Sequence, residues 1–261
     1  MKIFVLGLLA MSIVQCTNEV ENDVQPETTT VLQKDVSPEV LSKLEQMGFD
    51  VHQTPVTATK RGYIVGGDIF VTNEAIQEEV FSKQAFYGIV NCNRAGNIRI
   101  QNNLGNNAAG RGFQRGLDLW NNVNGTTLRL VPVTSNPDIV VRLARRGEIG
   151  GWGLGEFPTN GREGGLIILN LDEPYQGRPV TATEWGNILA HEIGHNIGLV
   201  HSTDGGYPGV TQVPGTPNVD RNSIMTAGSN PSVVFNARSV SRYDEIAVGR
   251  MYSNASNRLC R

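Results

Sequence analysis

Apolar residues recur along this chain in two rhythms, and the changes of rhythm mark its elements. After Ser37-Pro38, Val40, Leu41, Leu44 and Met47 fall three or four residues apart, the spacing of one helix face, and Gly48 is placed to stop that helix. Residues 63–71, YIVGGDIFV, form two short apolar runs either side of a glycine pair, with a single acid, Asp68, between them. Thr72 to Lys83 predicts a second helix, and the Asn-rich stretch 97–107 reads as strand and turn rather than a binding surface. Asn107 to Asn121 puts Phe113, Leu117 and Trp120 on one face of a longer helix, and residues 126–133 and 138–144 alternate or run apolar like strands. A further helix starts at Thr181. Thr181 and Glu184 are spaced as a capping box, and Trp185, Ile188, Leu189, Ile193 and Ile197 give it an apolar stripe.

That last helix carries the chemistry. Residues 191–202 read HEIGHNIGLVHS and hold three of the chain's four histidines. With about 3.6 residues per turn, His191 and His195 stand one above the other on one face. Gly198 follows where a left-handed residue can end a helix without a Cβ clash, so the chain can swing His201 towards the same point. Three neutral imidazoles with an open fourth position are the ligand set of a catalytic zinc rather than a closed structural one. Glu192, beside the first ligand, can reach a metal-bound water as general base without binding the metal. The competing reading of an HExxH segment is an ordinary helix with histidines tied to carbonyls. The extension to HExxHxxGxxH favours the metal.

With these residues the chain resembles the metzincins, a clan of zinc endopeptidases. Ser202 after the third histidine is similar to the matrixins, and His-Glu-Ile-Gly-His is the pentapeptide of the bacterial dual-action HEIGH metallopeptidases. The resemblance implies a methionine turn at Ser223-Ile224-Met225-Thr226, with Met225 packed beneath the imidazoles. It also implies an edge strand over the cleft in residues 150–158, the next strand in 164–172, and a closing helix in 239–252. The fold it implies is α+β: a twisted, mostly parallel sheet, two main helices and a C-terminal helix, preceded by a small pro-segment. Two features depart from relatives. No further histidines surround the edge strand, so one catalytic zinc ion is expected, and Ala227 stands where some relatives have a tyrosine.

Composition sets the remaining limits. A chain of 261 residues with 39% apolar content can bury a sizeable core, and a net charge of -3 without a basic patch argues against a nucleic-acid partner. Met1 and Lys2 precede an apolar run, Ile3 to Val14, too short for a bilayer of about 30 Å but the size of a signal-peptide core. Residues 1–15 are therefore expected to be a signal peptide and 16–36 a polar tether, followed by a pro-segment over 37–88 and a catalytic domain over 89–261. Cys16 resembles the lipid-modified cysteine of bacterial lipoproteins, although Gln15 replaces the usual small residue. Anchoring in a bacterial cell envelope and plain cleavage with secretion both stay open. A lipid at Cys16 would be the only membrane contact, and a monomer is expected. Cys92 and Cys260 read as a disulfide fastening the two ends of the catalytic domain, with Cys92 as a zinc-blocking thiol the rival.

The expected activity is zinc-dependent cleavage of protein or peptide substrates lying along the edge strand near Trp152 to Glu156. Trp152 and Phe157 could face substrate or simply pack. Hydrolysis of a non-peptide amide is a further possibility. A surface-anchored binding or adhesion protein on an inactive fold is the alternative, and Glu192 weighs against it because a structural metal site needs no base. The segment around Asp68 resembles the Gly-Asp-Ile of astacin pro-segments, which implies that Asp68 takes the fourth zinc position in a latent form. Gly-Gly-Asp is also common turn chemistry.

Overall fold

Almost every strand-like run of the sequence ends in one sheet. The computed structural model describes residues 36–77, 88–202, 212–226, 231–255 and 258–260. Its strands are β1 (Val56–Ala58), β2 (Gly62–Val65), β3 (Ile69–Thr72), β4 (Ile98–Asn103), β5 (Leu130–Val133), β6 (Ile139–Leu143), β7 (Gly153–Glu156) and β8 (Leu166–Leu169), hydrogen-bonded in the order β1-β2-β3-β7-β8-β6-β4-β5. β5, β4, β6 and β8 form a parallel block. β7 turns antiparallel to β8, β3 joins β7 in parallel, and β2 and β1 continue antiparallel. The fold is thus a mixed α/β one, an eight-stranded, mostly parallel sheet with helices. The first three strands come from the segment expected to be a pro-segment, which is built into the sheet rather than lying loosely upon it.

The helices are α1 (Pro38–Gln46), α2 (Asn73–Gln77), α3 (Cys92–Ala95), α4 (Ala108–Asn121), α5 (Ala182–Asn196), α6 (Pro231–Asn236) and α7 (Arg242–Met251). Caps fix the starts of the longer ones: the Ser37 side chain accepts from Val40 N, Asn107 from Gly110 N, and Thr181 with Glu184 closes a reciprocal capping box. The helix expected over 72–83 is described only as Asn73–Gln77, its remainder lying outside the described residues. The same holds for the signal run, Cys16 and all of the tether but Val36.

Two cores and a small third cluster, Phe70 with Ile149, Leu154 and Ile168, are formed by the described residues. The larger joins α4, α5 and α7 to the parallel strands through Phe113, Leu117, Trp120, Leu189, Ile193 and Val248, with Trp120 Nε1 donating to Ala190 O at 2.7 Å. A smaller one collects Leu44, Phe49, Val51, Val56, Val65, Ile69 and Val71 around Phe157, with Val200 packed against it. Phe49 meets Phe157 edge-on at 5.5 Å, so the N-terminal segment completes its core only by borrowing side chains from beyond residue 88. Cys92 and Cys260 are joined in a disulfide with Cα atoms 5.1 Å apart, which leaves no Cys92 thiol to block a metal.

α4 contains Gly112 and Gly116, poor helix formers at about 1 kcal/mol each against Ala. Their use is contact: a Cβ on Gly112 would fall 2.2 Å from Ala182 O, and one on Gly116 2.8 Å from the Leu189 side chain. Gly112→Ala should therefore destabilise by about 1–3 kcal/mol, overpacking outweighing the gain in helix propensity. Gly249→Ala in α7, where nothing lies within 4 Å of the added carbon, should stabilise instead. Urea midpoints of the two variants should move in opposite directions.

Candidate metal centre

α5 delivers the first two imidazoles and its end delivers the third. The helix closes at Ile197, Gly198 takes φ 94°, and Leu199 N bonds back to Gly194 O at 2.8 Å, so Val200 and His201 return towards the helix they left. The Nε2 atoms of His191, His195 and His201 then lie 3.2 Å from one another in all three pairs. His191 Nδ1 is 2.7 Å from Ile224 O and His195 Nδ1 is 2.9 Å from Leu199 O. A carbonyl only accepts, so both rings carry their proton on Nδ1 and turn an Nε2 lone pair inwards. Tetrahedral zinc bonds of about 2.0–2.1 Å put neighbouring nitrogens about 3.3–3.4 Å apart. The residues present fit that ion.

A fourth ligand atom stands at the same place. Gly66 and Gly67, at φ 68° and 97°, turn β2 into β3 and lay Asp68 against the cluster. Asp68 Oδ2 is 3.1 Å from His201 Nε2 and 3.6 Å from His191 Nε2, while Oδ1 is 3.9 Å from His195 Nε2. Oδ1 is buried with no hydrogen-bond partner among the described residues. The two sequence readings of this segment, a turn and a metal-facing acid, thus describe one object, because the turn is what presents the acid. Burial disfavours the Asp68 carboxylate, yet His201, His191 and His195 together pull it far below the usual carboxylate range. Burial lowers the pKa of both helix imidazoles, but Asp68 and Glu192 raise that of His191, whereas His201 and His191 lower that of His195 further.

Glu192 lies beside the ligands, 2% exposed, with Oε2 unpartnered among the described residues. Burial pushes its carboxyl well up against the opposing pull of His191. Room for it is made by β7: a Cβ on Gly153 would fall 2.1 Å from Glu192 Oε1, and one on Gly155 2.6 Å from Glu192 O. Beneath the helix, Met225 touches α5 at Gly194, where a Cβ would lie 2.2 Å from Met225 Sδ.

Sequence reasoning missed Asp244 at the start of α7. Its carboxylate accepts from Ser223 Oγ at 2.5 Å and from Ile224 N at 2.9 Å, fixing the turn whose Ile224 carbonyl holds His191. The signal was present as Ser241 and Asp244 at capping-box spacing, and they do form that box. Asn196 was missed too; its amide reaches Gly164 O at 2.7 Å and locks α5 to the strand layer. Trp152 is half-buried, edge-on to Phe235 at 5.0 Å, and Phe157 is buried against Phe49. Both pack. The β7 edge expected to carry substrate is taken by β3. The remaining histidine, His52, pairs with Glu45 at 2.8 Å on the surface.

Residues 174–256 match the metallo-peptidase family M12B, reprolysin-like, a span that contains the three histidines, Glu192 and Met225. Among solved structures the chain is similar to myroilysin, at 16% identity over 60% of this chain and 93% of that one with a TM-score of 0.39. It is also similar to high choriolytic enzyme 1, a hatching-enzyme zinc protease from the medaka Oryzias latipes, at 16% identity over 66% and 96% with a TM-score of 0.36. A third is the archaemetzincin of Methanopyrus kandleri, at 14% identity over 60% and 96% with a TM-score of 0.37. No curated protein sequence matches the chain. The family match and the ligand cluster together support a zinc metalloendopeptidase binding one ion.

Purified protein should carry one zinc per chain by elemental analysis. A chelator should lower its melting temperature, since removing the ion leaves Asp68 buried among unsatisfied imidazoles.

Proposed function

We propose that this chain is an exported zinc endopeptidase made as a latent precursor, with residues 37 to about 88 as the pro-segment and Asp68 as a temporary fourth zinc ligand. The observation that carries this reading is the convergence of the Asp68 carboxylate on the three Nε2 atoms. His191, His195 and His201 would hold the ion, which would supply Lewis acidity at this point. Glu192 would serve as the base: in its ionised form its buried side chain, with one oxygen unpartnered among the described residues, would take the proton of the attacking water and pass it to the leaving amine. The Ile224 and Leu199 carbonyls keep the His191 and His195 rings in place and take no part in proton transfer.

Latency follows from two occupations. Asp68 fills the position that water needs, and β3 takes the β7 donors that an extended substrate would use, with Gly155 N bonded to Asp68 O at 2.9 Å and Phe157 N to Phe70 O at 2.8 Å. An activating cut belongs before Gly88. From there on the chain is locked, with Val90 N on Tyr252 Oη at 3.2 Å, Asn91 N on Gly161 O at 2.8 Å, and the disulfide at Cys92. Anchoring through a lipid on Cys16, or plain secretion, places the activity outside the cytoplasm.

Uncut wild type should be nearly inactive on unfolded casein, Asp68→Ala should raise its basal rate, and limited proteolysis between Gln77 and Gly88 should release more. Equal activity of uncut wild type and Asp68→Ala would exclude the latent reading. Glu192→Ala should keep its zinc while kcat/KM falls by about 10²–10⁴-fold, as for loss of a general base. Retained turnover in that variant would remove Glu192 from the mechanism.

A further inference from the structure

β3 is held by its backbone to β2 on one edge and to β7 on the other, and by its side chains on both faces of the sheet. Ile69 lies opposite Gly155 in the β3–β7 register, on the face that the β7 glycines turn towards α5. Phe70 lies opposite Glu156 and therefore points to the other face, away from the imidazoles. There it enters an apolar hollow made by Ile149 from the loop before β7, Leu154 on β7 and Ile168 on β8. Leu154 and Ile168 are direct cross-strand partners, and all three residues are buried, at 8%, 3% and 3% exposure. Phe70 itself is 6% exposed.

Once β3 leaves, Gly155 N and Phe157 N lose their acceptors and the hollow loses its filling. An extended peptide laid on the same edge restores both, because its backbone supplies the carbonyls and every second side chain points to the far face. We propose that Ile149, Leu154 and Ile168 form a specificity subsite, and that the activated enzyme takes extended polypeptide with a bulky apolar side chain, aromatic or branched aliphatic, in the place held by Phe70. Such side chains are accessible in unfolded chains and buried in folded ones, so the substrate class is unfolded protein. The proposal rests on the latent-peptidase reading, in which β3 stands where substrate will lie.

The test uses the full chain after limited proteolysis, with a peptide library whose cut products are read by mass spectrometry. One position within a few residues of the cut should be enriched in Phe, Tyr, Leu and Ile. At that position the ratio of kcat/KM for Phe over Ala should be about 10- to 100-fold, the worth of burying one such side chain. Ile149→Ser opens the hollow from its loop side and should bring this ratio close to one. Ile149→Trp partly fills it and should move the preference to smaller side chains, which keeps the test decisive if the serine variant folds poorly. Cutting with no enriched apolar position, or a ratio unmoved by both variants, overturns the subsite and leaves the peptidase reading standing. A processed wild type that cuts nothing overturns both.

Discussion

Three imidazole nitrogens with lone pairs facing one buried point repel one another unless a cation lies among them. At 3.2 Å separation, with the Nδ1 protons of His191 and His195 committed to backbone carbonyls, these two rings turn bare nitrogens towards each other. The need for positive charge at that point governs the surroundings. It explains why a carboxylate can be buried beside the histidines at all, and why Asp68 is held ionised although burial opposes it. It also explains the supports: Ile224 O and Leu199 O fix ring orientation, and Asp244 fixes the turn that carries Ile224.

Closeness is the second condition, and glycine supplies it. Gly153 and Gly155 let β7 lie directly on the ligand helix, Gly194 admits the methionine sulfur beneath it, and Gly112, Gly116 and Gly186 bring α4 against its outer side. α5 is buried along nearly its whole length, including the polar Asn187, Glu192 and Asn196. Asn187 and Asn196 spend their amides on neighbouring carbonyls, which ties the helix in register to α6 and to the sheet. The metal geometry is thus set by backbone contacts rather than by long side chains, which would allow it to drift.

Much of this was legible in the sequence because it depends on local spacing. The helix period put His191 and His195 on one face, the capping box at Thr181 fixed where α5 begins, and Gly198 announced the turn to His201. Strand alternation located β4 and β6, while the bounds of β5 were narrower than its apolar run because Leu128 is buried ahead of the ladder. What depended on distant partners was not legible. Nothing local says that β3 pairs with β7, that Phe157 closes a core with Phe49, or that Asp244 reaches the methionine turn, since each joins residues at least twenty apart. The Gly-Gly-Asp segment shows the boundary well. Its chemistry as a turn could be read from the residues themselves, whereas its place at the three histidines came only from the resemblance to astacin pro-segments.

The Cys92–Cys260 bond closes residues 92 to 260 into a covalent ring. Inside that ring are all three histidines, Glu192 and the methionine turn; outside it is Asp68, joined to the rest by one stretch of backbone. The molecule is therefore partitioned chemically as well as by sequence, with the three histidines in a closed loop and the acid that faces them on a tail. While the tail is continuous, the acid meets the imidazoles at the high effective concentration of a tethered group. One break in the backbone turns it into a separate molecule whose occupancy falls with dilution. A single hydrolysed bond can thus convert a permanent neighbour into a ligand that is lost by diffusion, and the ring keeps the remainder from loosening when that happens.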